Sequence, residues 1–272
     1  MALPPQSRQS RRQERRRLVK LGRTALTRGF SDDLDDEVTV GVLVMLADKL
    51  EETANPARAG EAAEIAEQVL ERSNAPFERQ PDVACKRGCW HCCVTVASVT
   101  PPEIFRVAAW LRRNRIHSTD MSPAAVLARC AAKIGPSIEA MFAARVPCPA
   151  LVNGECGIHP SRPINCRQFL STSLPACLKS FGGEEAEVPF VTGATDRGTL
   201  ARLLLTGAMK ASGLPDTGYE LAGALAAALK DESAEQRWLA GEDVFAGVLV
   251  TPRPASNQEI VDRCAEIVRR NA

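Results

Sequence analysis

Apolar residues recur at helical spacing along most of this chain, and the pattern fails chiefly in two cysteine-bearing stretches. Leu34, Val38, Val42, Met45, Leu46 and Leu50 form one stripe, with Ser31 as the expected cap and Asp32, Asp33, Asp35 and Asp36 in the first turn. Asn55-Pro56 ends it. Ala62, Ile65, Ala66 and Val69 predict a second helix over about 58–72, and the two are expected to form a hairpin whose apolar face needs a partner. Pro76 and Pro81 mark 73–84 as a connection.

Val94-Thr95-Val96-Ala97-Ser98-Val99 is β-branched and predicts one short strand. Thr100-Pro101-Pro102-Glu103 is a capping box with proline at the first helical position. Ile104, Val107, Ala108 and Leu111 continue that helix, and Ser122-Pro123 starts another, carrying Val126, Leu127, Cys130, Ile134 and Ile138. Past Gly182-Gly183 helical spacing returns: Leu200, Leu203, Leu204 and Met209, ended by Gly213; then Leu221, Leu225 and Leu229; then a terminal helix opened by Ser256-Asn257-Gln258-Glu259 with Ile260, Cys264, Ile267 and Val268 inside.

Composition agrees with a mainly α fold. Only 4% of the residues are aromatic and 45% are hydrophobic, a balance that favours helix over sheet. The 272 residues allow one sizeable core or two small ones. No apolar run is long enough to span a bilayer, and no secretory leader is evident, so a reducing, cytoplasmic setting is expected. The net charge of +1 conceals an asymmetry. Residues 1–30 hold nine Arg or Lys against the single acid Glu14. They are expected as a basic disordered arm, or a helix with a basic face, able to meet a protein or nucleic-acid partner.

Eight of the ten cysteines supply the candidate chemistry. Cys85, Cys89, Cys92 and Cys93 fall in nine residues, and Cys148, Cys156, Cys166 and Cys177 follow in a proline-rich, loop-like segment. Cys89-Trp90-His91-Cys92 has the C-x2-C spacing that brings two sulfurs to one ion, used by zinc sites and iron–sulfur clusters alike. Gly88 suits a positive φ within such a knuckle. Adjacent Cys92 and Cys93 are expected to diverge, which points to two metals, or to one cluster plus a thiol. Four thiolates on a divalent ion leave about two negative charges, so cations are expected nearby: Lys86, Arg87, and above all Arg162 and Arg167 as cofactor-binding residues. His91 and His159 are accessory candidates, and His117 reads as solvated. Cys130 and Cys264 lie on apolar helix faces and read as packing residues.

These motifs carry a resemblance. Cys85-x3-Cys89-x2-Cys92-Cys93, then Pro147-Cys148-Pro149-x-Leu151-x2-Gly154-x-Cys156-x-Ile158, then Arg162-Pro163-x2-Cys166-Arg167, with Cys177 as an eighth cysteine, resemble the YkgJ-type cysteine-cluster family. That family is described as zinc- or iron-chelating, and the resemblance covers roughly 80–185. It implies metal chelation. A related cluster occurs in flagellin lysine N-methylases, thought to use an iron–sulfur centre, but nothing outside the cysteine motif here matches them clearly.

The expectation is therefore helices packed around a loop-rich cysteine-cluster core. The expected divisions are 1–30 (arm), 31–75 (helical hairpin), 76–188 (cysteine-cluster domain) and 189–272 (C-terminal helices). The first functional reading is an iron or iron–sulfur protein, redox-active or catalytic. The alternative is a zinc-stabilised interaction module. Below these ranks a radical S-adenosylmethionine enzyme, because Cys85-x3-Cys89-x2-Cys92 and Gly182-Gly183-Glu184 fit its signature, although alternating strand–helix units are lacking. A disulfide scaffold ranks with it.

Overall fold

The computed structural model describes residues 8–86, 88–114, 131, 133 and 137–272. The stretch expected as a basic disordered arm, or as a helix with a basic face, is helical over Arg8–Arg28 (α1), and packs along α2 (Glu37–Leu50). The cause is visible at the crossing. Gly22 and Gly41 bring the two backbones together; a Cβ at Gly22 would overlap the Gly41 carbonyl, and one at Gly41 would lie 2.6 Å from the Leu18 carbonyl oxygen. Leu18 and Ala25 bury the apolar side of α1, which gains enough to order a stretch rich in like charge. Arg15 pairs with Asp48 and Glu51, and Arg17 with Glu14 and Glu37.

The cap of α2 also differs from expectation. Asp36, not Ser31, accepts the Val38 and Thr39 amides, each at 3.0 Å. Ser31 serves the preceding turn through the Asp33 amide. Helix α3 runs Arg58–Glu78, through Pro76 and past the predicted end near Arg72. Proline removes a helical donor, and contacts from α8 (Thr192–Ala211) secure this last turn instead. Arg197 donates to the Ser73 carbonyl at 2.8 Å and lies 4.9 Å from the Phe77 ring centroid; Asn74 donates to the Ala194 carbonyl.

Helix α4 (Pro101–Asn114) starts where the Thr100–Glu103 box predicts, with Glu103 reaching back to the Thr100 amide at 2.8 Å. The helix expected from Ser122 lies, with Cys130, almost wholly outside the described residues. Its far end is a separate helix, α5 (Ile138–Ala144), capped by Ser137. The short helices α6 (Ile164–Arg167) and α7 (Leu174–Gly182) fall in the second cysteine segment. Then come α8, α9 (Leu221–Lys230), α10 (Ala234–Leu239) and α11 (Ala255–Arg270). The Ser256 box is not formed: α11 begins at Ala255, behind Pro254, with no side-chain cap bond. Gly213, at φ +71°, ends α8 as expected.

Strand content is small. Of the stretch predicted at 94–99, only Ser98–Val99 is strand (β1); His91–Val94 is a 3-10 turn. β1 pairs antiparallel with β4 (Gly218–Glu220), which pairs antiparallel with β5 (Val250–Thr251). A separate hairpin joins β2 (Leu151–Val152) to β3 (Glu155–Cys156).

The core is organised by α8. It contacts α2, α3 and α11, while α3 packs on α4 and α4 on α9. Helices before and after the cysteine segments thus share one apolar interior, which includes Leu46, Leu70, Ile104, Leu204 and Met209. Cys264 belongs to it. Its Cβ occupies the space left by Gly207, and burial pushes its thiol up to about 12. The packing role read from sequence is the one it has.

Candidate functional site

The two cysteine segments are stitched together by backbone. The Ala84 amide donates to the Ser171 carbonyl at 2.8 Å, and the Cys148 amide to the Cys93 carbonyl at 2.7 Å. The Ser171 amide also points at Cys85 Sγ, 3.2 Å away. In the first segment Gly88 adopts the expected left-handed conformation, φ +84°, and lets the Cys89 amide close back on the Lys86 carbonyl at 3.0 Å. Arg87 lies outside the described residues. The 3-10 turn 91–94 then carries Cys92 and Cys93, with the Cys93 amide on the Trp90 carbonyl at 2.8 Å.

In the second segment Asn153 (φ 52°) and Gly154 (φ 79°) form a two-residue left-handed turn. Asn-Gly is the pair such a hairpin demands. It sets the register Leu151 opposite Cys156. Gly154 faces the Trp90 indole: an added Cβ would sit 3.8 Å from it, so the first segment leans on the hairpin of the second. Ile158 and Ile164 are buried and anchor the chain on either side of the 3-10 turn 159–161. Cys177 is buried on α7, which Ser173 caps and which packs against the turn 91–94.

Thiol electrostatics divide the set into two neighbourhoods. Burial raises Cys85, opposed by the Ser171 amide; the thiols of Cys89, Cys92 and Cys177 push the same way as burial. Burial also raises Cys166, followed by Cys148, Cys156 and Cys92. Burial raises Cys156, while the Ile158 amide, Arg162 and Arg167 pull it down. Cys92 is raised foremost by a hydrogen bond with the Cys93 side chain, so these adjacent thiols meet instead of diverging as expected. Cys92 acts on both neighbourhoods. Cys92 and Cys166 are exposed to solvent. Among the described residues no cysteine is in a disulfide, and no three Cys, His, Asp or Glu groups are arranged to hold one metal ion.

Beneath the thiols lies a charge network that sequence reasoning missed. Glu67 of α3, 1% exposed, accepts from Arg106 Nε at 2.6 Å and from Arg167 Nη2 at 3.2 Å. Its second oxygen, Oε1, is buried without a partner. Burial outweighs both guanidiniums and pushes the Glu67 carboxyl up to about 7. Arg106 and Arg167 each donate onward to the Pro160 carbonyl at 3.1 Å, and Arg167 Nε to the Arg162 carbonyl at 2.7 Å. Glu103, fully buried, accepts the Ile164 amide at 2.8 Å. Three charged side chains therefore hold the turn before Cys166 from the core side. The clue in the sequence was an acid, Glu67, within the apolar stripe that Ala63, Ala66 and Leu70 define.

The two expected cofactor-binding arginines thus differ. Arg167 is committed to Glu67 and to carbonyls. Arg162 has a buried Nε without a partner, and its charge acts on Cys92 and Cys156. A buried, unanswered N–H donor beside clustered thiols fits an anionic sulfur centre, whose charge would satisfy it. The His91 ring is tilted by 33° against that of Trp90, with centroids 5.2 Å apart, and His159 sits in the 3-10 turn. His117 lies outside the described residues. Gly182-Gly183-Glu184 terminates α7: Gly183 is left-handed at φ +109° and the Glu184 amide bonds the Lys179 carbonyl. The described strands are short and antiparallel, unlike those of a β/α barrel.

Fold and site together define a mainly helical protein with a loop-rich, cysteine-dense region. Compared with models of protein families, with curated proteins and with solved structures, the chain matches none. Among the described residues no helix is long and apolar enough to cross a membrane.

Proposed function

We propose that this chain is a metal-binding protein whose two cysteine segments hold iron, as an iron–sulfur centre. One group is Cys85, Cys89 and Cys177; the other is Cys148, Cys156 and Cys166; Cys92 and Cys93 complete one each. The observation that carries the reading is the pairing of these segments through the Ala84–Ser171 and Cys148–Cys93 bonds, with the unanswered Arg162 Nε beside them. The YkgJ-type motif points the same way. Iron–sulfur centres supply one-electron chemistry, at a potential set by charge and by hydrogen bonds to sulfur; Arg162 is the donor placed to tune it.

Zinc is the second reading, favoured by the scarcity of strand and helix in the region, since structural zinc contributes folding energy to such loops. Anaerobic purification followed by iron, sulfide and zinc analysis separates the two. The iron reading expects absorption near about 400 nm and stoichiometric sulfide. Cys89→Ala and Cys166→Ala are each expected to lose metal, and Cys264→Ala to keep it. Full metal in both of the first two variants overturns the proposal.

A further inference from the structure

We infer that the outer face of α1 is a docking ridge for the phosphate backbone of a nucleic-acid duplex. Arg8, Arg12, Arg16, Lys20 and Arg23 are exposed, and their three- and four-residue spacing puts them on one side of the helix. The ridge is about 22 Å long, at 1.5 Å per residue. None of the five has an ion pair among the described residues, whereas Arg15 and Arg17 are neutralised by Asp48, Glu51, Glu14 and Glu37. Acids therefore answer Arg15 and Arg17 and leave the row of five bare. The close Gly22–Gly41 crossing fixes α1 against α2, so the row is held straight and presented together.

The chemistry of the ridge selects the partner. Helix α1 contains no aromatic residue, so unstacked bases have no platform, which disfavours single strands. Its apolar residues Leu18 and Ala25 are buried against the rest of the protein, and Val19, Leu21 and Leu26 are half-buried, so little apolar surface is left to enter a bilayer. What remains is a row of point charges matched to regularly spaced phosphates. Such contacts carry no sequence information and are strongly salt-dependent. This inference does not depend on the metal reading.

The test is fluorescence anisotropy of the full chain with a labelled 20-base-pair DNA duplex over a salt series. Five phosphate contacts predict a log–log slope of about −4.5, hence an affinity loss of about 500-fold between 50 and 200 mM salt. Arg12→Gln/Arg16→Gln/Lys20→Gln should flatten the slope to about −2 while leaving the thermal midpoint in place, because these side chains have no partner to lose. Arg237→Gln, remote from α1, should leave the slope unchanged. Absence of duplex binding at 50 mM salt overturns the inference. So does binding that the triple variant retains, or binding to phosphatidylserine vesicles without binding to the duplex.

Discussion

The helical frame and the cysteine region are built on opposite terms. The frame, centred on α8, buries long runs of alanine, leucine and valine, and keeps its glycines where helices touch. The cysteine region has two-residue strands, 3-10 turns and short helices. Of the five large hydrophobic residues exposed on the described surface, four belong to it: Trp90, Val152, Leu174 and Leu178. A frame with that much burial can hold itself together. A region with so little draws less order from burial, and on the proposed reading metal held by its thiols supplies the rest.

The largest expected effect follows. On the metal reading, treating anaerobically purified protein with a chelator should leave helical circular dichroism nearly intact. Limited proteolysis should then cut within 85–93 and 148–177 while the helices around α8 resist. Structural metal contributes on the order of 10 kcal/mol in small zinc domains, so the protection lost should be orders of magnitude. Equal sensitivity with and without chelator would erase the distinction between the regions.

The junction between them is the next place to probe. The Glu67 carboxyl titrates near about 7 when folded, above its ordinary 4.5. The folded state therefore binds the extra proton, and the stabilisation it brings is fully present below about pH 4.5 and lost as pH rises through 7. Up to about 3 kcal/mol is involved, from the size of the shift. Glu67→Gln should flatten the stability curve over that window relative to the unmodified protein in parallel urea titrations. Superimposable curves would show that Glu67 titrates normally in the fold.

Within the frame, Gly41→Ala should cost about 1–3 kcal/mol, as overpacking does, because the new methyl meets the Leu18 carbonyl. A calorimetric midpoint at the unmodified value would mean that α1 shifts freely on α2. Such a result would also remove the rigidity that the basic ridge requires.

What the sequence made legible divides along the same line. Helical periodicity located α2, α4, α8 and α9, because burial of one stripe is a local signal. It failed at Pro76, where Arg197 and Asn74 make contacts more than a hundred residues distant in sequence. At α1 it left arm and helix both open, because charge obscured an apolar side of only a few residues. Cysteine spacing marked both candidate segments, which backbone bonds pair. The sharing of Cys92 between neighbourhoods was not legible. It depends on which way a 3-10 turn aims two adjacent thiols, and no periodicity encodes that.

The smallest effect tests whether the second cysteine segment has any order of its own. Gly154 sits at φ +79° in the two-residue turn, where an L-residue costs about 1–2 kcal/mol. Space is not the obstacle, since a Cβ there would only touch Trp90. In Gly154→Ala the whole penalty therefore falls on the turn that sets Cys156 opposite Leu151. If metal organises the region, the loaded protein should absorb this penalty with little change in its unfolding midpoint, while the apo form should show faster exchange of the Gly157 amide, which donates to the Ala150 carbonyl across the hairpin. If the hairpin orders itself, apo and loaded forms should respond alike. The difference between the two responses, more than the size of either, measures how far the cysteine region depends on what it binds.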